Sequence, residues 1–313
     1  MTPEEALERV RAGGLLPAHG PVVALLSGGR DSVCLLDLAV RICGAPRVRA
    51  LHVNYGLRPE AHEEEHHCRE LCARLGVTLE VVRAERPAGA GNLQAWARAL
   101  RYGAAEDLAR PLDAPIAAGH TATDQVETIL YRLAASPGRR ALLGMAPREG
   151  RLVRPLLELT REQTADYCRA RGLAWREDAS NDSEQYARAR VRNRLVPAFD
   201  AIHPAARENV LRTARLLREE AEVLDELVGT ELRGEASIAI ERLEALPAAL
   251  ARLVVVRLTE QAAGTYVPQA GARVGEILDL ARRGGRAELH VGGLVGAVIE
   301  EGSLHMVKLP PRS

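Results

Sequence analysis

Residues 22–34 read VVALLSGGRDSVC: an unbroken apolar run, Val22 to Leu26, that stops abruptly in Ser27-Gly28-Gly29-Arg30-Asp31-Ser32. Apolar residues without alternation fit a strand covered on both faces, as in a parallel sheet. From Val33 to Val40 apolar residues return at helical spacing. SGGRDS is therefore the turn between a strand and a helix. Peptide N–H groups at such a turn, unobstructed at glycine and backed by a helix N-terminus, form a seat for phosphate or pyrophosphate. The lysine-bearing P-loop needs Gly, four residues, then Gly-Lys-Ser/Thr, and this turn lacks it. A nucleoside triphosphate fits the turn, gripped without lysine.

Working outward, the strand-then-helix logic repeats. Val48 to Val53 reads as a strand entering the turn Asn54-Tyr55-Gly56-Leu57-Arg58-Pro59, and Glu60 to Gly76 reads as a helix ending at glycine. Thr78 to Val82 is a further short strand. Asn92 to Ala109 has helical periodicity with Asn92 as N-cap, and Pro115 to Ala118 leads into GHTATDQVETILYRLA. Strands alternating with helices predict an α/β fold: a parallel sheet with helices on both faces. Ligands of such sheets sit at the carboxyl ends of strands. SGGRDS, His52 and Gly119-His120 all fall at such ends, so three separate stretches converge on one crevice.

The pattern changes after the Pro197 to Pro204 region. A long helix over Pro204 to Leu232 is followed by a helical segment at Ala245 to Gly264. Strand-like stretches then follow at Ala287 to His290, Leu294 to Glu300 and Leu304 to Leu309. The expected organisation is a nucleotide domain over 1–200 and a smaller, mainly helical domain with a few strands over 201–313.

The chain has 313 residues, 47% of them hydrophobic, enough for two cores. Its 42 basic residues balance 42 acidic ones, so no global attraction to a polyanion follows. Lys308 is the single lysine; every other base is arginine. Phosphate must be met by guanidinium forks, backbone amides or a metal, and the arginine bias equally suits genome composition or heat adaptation. No apolar run reaches the roughly 18 residues of a membrane span, and the first residues lack the basic start of a signal peptide. The expected location is cytoplasmic, with no membrane partner. Five scattered cysteines without a Cys-x-x-Cys pair argue against disulfides and iron–sulfur clusters.

Within the turn, Ser27 and Ser32 can donate to phosphoryl oxygens, Gly28 and Gly29 let the backbone approach, and Asp31 can hold Mg²⁺. Such a carboxylate would repel polyphosphate without a cation. Arg98 and Arg101, three apart on one helix face, suit either solvation or two forks on a phosphate. His120 suits a helix cap or the lining of the crevice. Asp124 and Glu127 share a helix face and suit either the helix dipole or chemistry. His62, His66, His67, Cys68 and Cys72 suggest zinc, but Cys68 and Cys72 fall on an apolar stripe with Leu71 and Leu75, which favours a core. Arg188, Arg190, Arg192 and Arg194 alternate with other residues; a half-buried strand, a helix or an irregular arm all fit. Either way they make a local phosphate-directed patch, which Arg169, Arg171 and Arg176 can extend.

SGGRDS resembles the PP-loop of the N-type ATP pyrophosphatases, and the downstream stretches resemble the tRNA(Ile)-lysidine synthetase family within that superfamily. His52-Val53-Asn54-Tyr55-Gly56-Leu57-Arg58 is similar to its HVxHGLR element, Ala97 to Tyr102 to ARxxRY, and Gly119 to Thr128 to AHHxDDxxET. Arg154-Pro155-Leu156-Leu157, Trp175 to Asp182 and Tyr186 to Pro197 follow in the family's order. The likeness is strong over about residues 20–200, with a weaker echo beyond. Tyr55 stands where a second His is usual, Gln94 where Glu is common, Thr121 and Thr123 where His and Asp are common, and Ala189 where Asn is expected.

The resemblance implies ATP and Mg²⁺ as cofactors, with Asp31 and Asp124 as metal ligands. Catalysis is assigned by it to Asp31, Asp124, Arg98 and Arg192. Nucleotide contacts fall to Ser27 through Ser32, including Arg30, and to His52, Val53, Arg58, Gly119 and His120. Substrate contacts fall to Arg101, Glu127, Asp178, Asn181, Arg188, Arg190, Arg192 and Arg194. The implied reaction adenylylates the wobble cytidine of the isoleucine tRNA with a CAU anticodon and then attaches free L-lysine, forming lysidine. The smaller domain, by the same resemblance, helps hold the tRNA. Monomer and homodimer are both compatible with the sequence. Alternatives are a PP-loop tRNA thiolase, a small-metabolite amidotransferase and a non-catalytic ATP sensor.

Overall fold

The computed structural model describes every residue except 57–60, 85–91, 136–137, 178–186, 266, 268, 284 and 311–313. Contacts divide the chain into two compact units, Met1–Arg215 and Leu216–Ser313.

In chain order the first unit runs α1 (Pro3–Ala12), β1 (Val22–Leu25), α2 (Arg30–Cys43), β2 (Val48–Asn54), α3 (Ala61–Leu75), β3 (Thr78–Arg83) and α4 (Leu93–Ala109). It continues with β4 (Ile116–Ala117), α5 (Ala122–Ala135), α6 (Arg139–Leu143), β5 (Arg148–Glu149), β6 (Leu152–Val153), α7 (Arg161–Ala170), α8 (Ala187–Arg190) and α9 (Val196–Ile202). α10 (Ala206–Leu232) contains the boundary between the units. The six strands form one sheet in the order β3-β2-β1-β4-β6-β5, parallel except for β5.

The unbroken apolar run has its explanation in β1, the strand between β2 and β4. Val22, Ala24 and Leu26 pack on one face, into a core with Ala6 and Val10 of α1, Leu35 and Leu38 of α2, Cys68 and Leu71 of α3, and Tyr167 of α7. Val23 and Leu25 pack on the other, with Ala105 and Ala109 of α4. Successive side chains point to opposite faces, and both faces are covered, so no polar position is left. Cys68 and Cys72 are core residues of α3.

The second unit contains β7 (Ser237–Ala239), α11 (Ile240–Ala245), α12 (Ala248–Ala263), α13 (Val274–Arg282), β8 (Ala287–Gly292), β9 (Val295–Glu300) and β10 (Ser303–Lys308). Its antiparallel sheet has the order β7-β10-β9-β8, and its core joins Val254, Leu258 and Ile277 of the helices to Val291, Val295, Ile299 and Leu304 of the strands. The α/β class read from the sequence is the observed one: a mostly parallel sheet with helices on both faces, then a smaller, mainly helical part with a few strands. Sequence reading missed the helices α1, α6, α7, α9, α11 and α13 and the strands β5, β6 and β7. Among the described residues no helix is long and apolar enough to cross a membrane.

Candidate nucleotide and RNA site

The SGGRDS turn is held by its own side chains. The Ser27 N–H donates to Ser32 Oγ (3.1 Å), the two hydroxyl oxygens lie 3.1 Å apart, and Ser32 Oγ donates to the Gly29 carbonyl (2.8 Å). Gly28 has φ +81°, which strains any other residue, and a Cβ there would crowd Cys68 Sγ at 3.3 Å. Gly29 is the N-cap of α2, and no side chain caps it. First-turn N–H groups of a helix have no intrahelical acceptor, so this end offers donors and a partial positive charge to an anion.

Gly119 brings the second motif to the loop. A Cβ on Gly119 would lie 3.1 Å from the Asp31 carbonyl oxygen and 3.2 Å from Ser32 N, backbone against backbone. His52, two residues before the end of β2, donates from Nδ1 to the Leu26 carbonyl (2.9 Å), tying β2 to the last residue before the turn; its Nε2 is buried without a partner.

Two acids meet beside the turn. Asp31 Oδ1 accepts from Thr164 Oγ1 (2.5 Å), and burial lifts its carboxyl above the ordinary aspartate range, with Asp124 adding to the rise and Thr164, Arg30 and Arg161 opposing it. Asp124 Oδ2 accepts from both the N–H and the hydroxyl of Thr121 (2.9 Å each). Burial works to raise Asp124 as well, but the Thr121 bonds and Arg161 outweigh it, and its carboxyl is held low. His120, next to them, is pushed down to about 4, chiefly by burial; Asp124 opposes this, and Arg154, Arg188 and Arg101 reinforce it. His120 is thus neutral at pH 7.

Around this centre the sequence-predicted arginines divide. Arg192 grips Glu127 with a two-pronged pair, Nε to Oε1 at 2.6 Å and Nη2 to Oε2 at 3.0 Å; Glu127 is 1% exposed. Arg188 donates to Thr128 Oγ1. Residues 187–202 are helical throughout, with a π turn over Val191–Leu195, so of the three conformations open to the alternating arginines the helix is the one adopted. Arg188 and Arg192, four apart, bond to α5; Arg192 is half-buried, while Arg188, Arg190 and Arg194 are exposed. Arg98 and Arg101 flank the Tyr102 ring, their guanidinium carbons 4.7 and 5.3 Å from its centroid. Val53 is buried in β2. Arg58, Asp178 and Asn181 lie outside the described residues.

Motif departures have structural roles. Thr121 and Asp124 form a reciprocal cap at the start of α5, with Asp124 N donating back to Thr121 Oγ1 (3.4 Å). Thr123 Oγ1 accepts from the Arg161 N–H (3.1 Å). The Tyr55 hydroxyl donates to the Ala97 carbonyl (3.1 Å), and its ring meets Trp96 edge-on at 5.9 Å. Ala189 is buried, and Gln94 is exposed in the first turn of α4. Sequence reasoning missed Thr164 and Arg161; the Thr160-x-x-Gln163 spacing of a capping box was the available signal for the helix start that carries them.

The residues fit a divalent cation. One guanidinium, Arg161, already lies between Asp31 and Asp124, so the space accepts positive charge. Among the described residues no group of three or more His, Cys, Asp or Glu could hold a metal. Two carboxylates suit Mg²⁺, which commonly takes one or two and completes its shell with phosphate oxygens.

A parallel sheet with a lysine-free anion turn at the end of its first strand is the architecture of a PP-loop domain. The sequence model of that family, described as a PP-loop domain, matches residues 7–199, and the chain belongs to it; ATP binding follows from membership. Among curated proteins the chain is 39% identical over 285 residues to the tRNA(Ile)-lysidine synthase of Azoarcus sp. (strain BH72), covering 87% of this chain and 62% of that protein. It is 38% identical over 291 residues to the tRNA(Ile)-lysidine synthase of Solibacter usitatus (strain Ellin6076), covering 88% and 65%. The chain therefore spans less than two thirds of the length of these relatives. Among solved structures, a U34-tRNA thiolase from Methanococcus maripaludis superposes with a TM-score of 0.57 at 17% identity, over 69% of this chain and 78% of that one. That likeness concerns the fold alone.

Proposed function

We propose that the chain carries the lysidine-forming activity. ATP is seated at Ser27–Ser32 with His52, Val53, Arg58, Gly119 and His120 around it. The C2 carbonyl oxygen of the wobble cytidine of the CAU-anticodon tRNA(Ile) attacks the α-phosphorus, and pyrophosphate leaves. The amine of free L-lysine then attacks C2 and AMP departs. Mg²⁺, held by Asp31 and Asp124, supplies charge neutralisation on the phosphates.

The chain's own groups carry the rest. First-turn amides of α2 and the serine hydroxyls bind phosphoryl oxygens in fixed positions, which spares reorganisation as charge builds on pyrophosphate. His120, uncharged at pH 7, can line the crevice without repelling a cation. The Arg188–Arg194 segment meets RNA phosphate, and a loop base can splay from its stack to reach the nucleotide. Residues 201–313 we assign to tRNA binding. A cytoplasmic location accords with this substrate, and the oligomeric state is open to measurement.

The observation that carries the reading is the sequence likeness to the lysidine synthases, running through the same stretches that converge on the turn. The thiolase alternative is not favoured: all five cysteines are buried. Burial pushes Cys43 and Cys72 up to about 11 and Cys68 to about 12, away from thiolate chemistry. The test is incubation with ATP, Mg²⁺, labelled lysine and the CAU-anticodon tRNA. Label in RNA with stoichiometric AMP is expected; sulfur or ammonia transfer with no lysine incorporation would sink the reading.

A further inference from the structure

Arg161 belongs to none of the motifs above, yet it stands where the two acids meet. It is the first residue of α7, behind Thr160, whose hydroxyl accepts from the Gln163 N–H while Gln163 Oε1 accepts from the Thr160 N–H. Its own N–H is held by Thr123 Oγ1. The backbone is thereby pinned by α5 and α7, and the guanidinium turns back into the site. Nη2 donates to Asp124 Oδ1 at 3.3 Å; Nε lies 3.7 Å from Asp31 Oδ2, beyond hydrogen-bonding reach, and is buried without an acceptor.

The same molecule shows what a closed pair looks like. Arg192 meets Glu127 at 2.6 and 3.0 Å, and Glu65 takes Arg69 at 2.8 Å and Arg83 at 2.7 Å. Arg161 instead spreads one guanidinium over two carboxylates with longer contacts and an idle N–H. That is the geometry of a shared counter-ion that can be exchanged. Two neighbouring carboxylates need such an ion, since without it one would take up a proton. The charges of Asp31, Asp124 and Arg161 sum to −1; adding a divalent cation makes the group +1, and the freed guanidinium faces a tetra-anionic triphosphate.

We propose that Arg161 is the resident cation of the Asp31 and Asp124 pair: a divalent metal has to displace its guanidinium, which then binds the triphosphate. This rests on reading the site as one for ATP with its metal. The consequence is synergy, with metal weak alone and strong with nucleotide.

The test uses the full chain, Mn²⁺ as the metal probe and a non-hydrolysable ATP analogue, followed by electron paramagnetic resonance and calorimetry. Arg161→Gln is expected to bind Mn²⁺ alone about tenfold more tightly than wild type, and the analogue with Mn²⁺ about tenfold more weakly, as for loss of one charge-assisted contact on each side. Arg161→Lys should restore most of the analogue affinity. A gain in metal affinity is not an outcome of a damaged fold. Unchanged or weaker Mn²⁺ binding by Arg161→Gln overturns the proposal; tighter Mn²⁺ with unchanged analogue affinity overturns the triphosphate role. If folded wild-type protein binds no Mn²⁺ with the analogue, the nucleotide-site reading itself fails.

Discussion

Asp31 is the second residue of α2, within the anion turn, with its carboxyl raised above the ordinary aspartate range, burial being the main cause. The sign of the linkage follows: a folded-state carboxyl that holds its proton more tightly than the unfolded one lowers stability at pH values above its folded pKa. Asp31→Asn is therefore expected to raise Tm at pH 7, with the gain shrinking as pH falls through that raised pKa, while pyrophosphate release is lost. Thermal melts across pH beside a pyrophosphate assay check it; a lower Tm at pH 7 would contradict it. His120 works in the other direction. Its folded pKa of about 4 lies below the ordinary histidine value of 6.5, so between these the unfolded chain binds the proton and the folded one does not. Its contribution to stability is retained above pH 6.5 and lost as pH falls toward 4. His120→Asn should flatten the pH dependence of Tm across that window; an unchanged slope counts against a buried neutral imidazole.

At the scale of elements, the turn is shaped by close approach as much as by its own sequence. Gly119 lies against the carbonyl of Asp31 and the amide of Ser32, so a methyl there must push α2 away from β4. Gly119→Ala is expected to cost roughly 1–3 kcal/mol as an overpacked site, and to weaken ATP binding because the first-turn amides move. Gly103, exposed within α4 with open space around its Cα, is the matched control. Gly103→Ala should stabilise by about 0.5–1 kcal/mol. Urea melts of both variants separate steric from entropic effects; equal shifts would refute the packing argument. These elements also show what was legible in advance. β1 and α2 were readable because an apolar run, a glycine turn and a helical period occur in order, and α4 because Asn92 caps it, accepting from the N–H groups of Gln94 and Ala95. β5 and β6 were not, since two residues apiece carry no periodicity and are defined by pairing alone. In the site, turn residues were visible through their local pattern. Arg161 and Thr164 were not, because their meeting with Asp31 and Asp124 depends on how α7 packs across residues remote in sequence.

For the whole molecule, a formal charge of zero leaves RNA affinity to places where arginine outruns acid. Much of the arginine in the second unit is matched: Arg242 with Glu231, Arg257 with Asp225, Arg273 with Glu276, and Arg282 with Glu244 and Asp279. In the 188–194 segment Arg188 and Arg192 turn toward α5, and Arg192 is held by a buried acid whose charge would be stranded if it were removed. Arg192→Ala therefore confounds RNA binding with stability, and the exposed Arg190 and Arg194 are the better probes. Each phosphate contact releases counter-ions, so the logarithm of affinity falls with the logarithm of salt by about 0.7 per contact on a single strand and about 0.9 on a duplex. The double variant Arg190→Gln, Arg194→Gln is expected to weaken tRNA binding and reduce that slope by roughly 1.5. ATP affinity should hold, and thermal melts of the same variant separate any change in stability from the change in slope. Filter binding of the CAU-anticodon tRNA over a salt series reads the slope directly. An unaltered slope would place the RNA on another face of the protein, and the helical segment beside α5 would then lose its assignment while the nucleotide site kept its own.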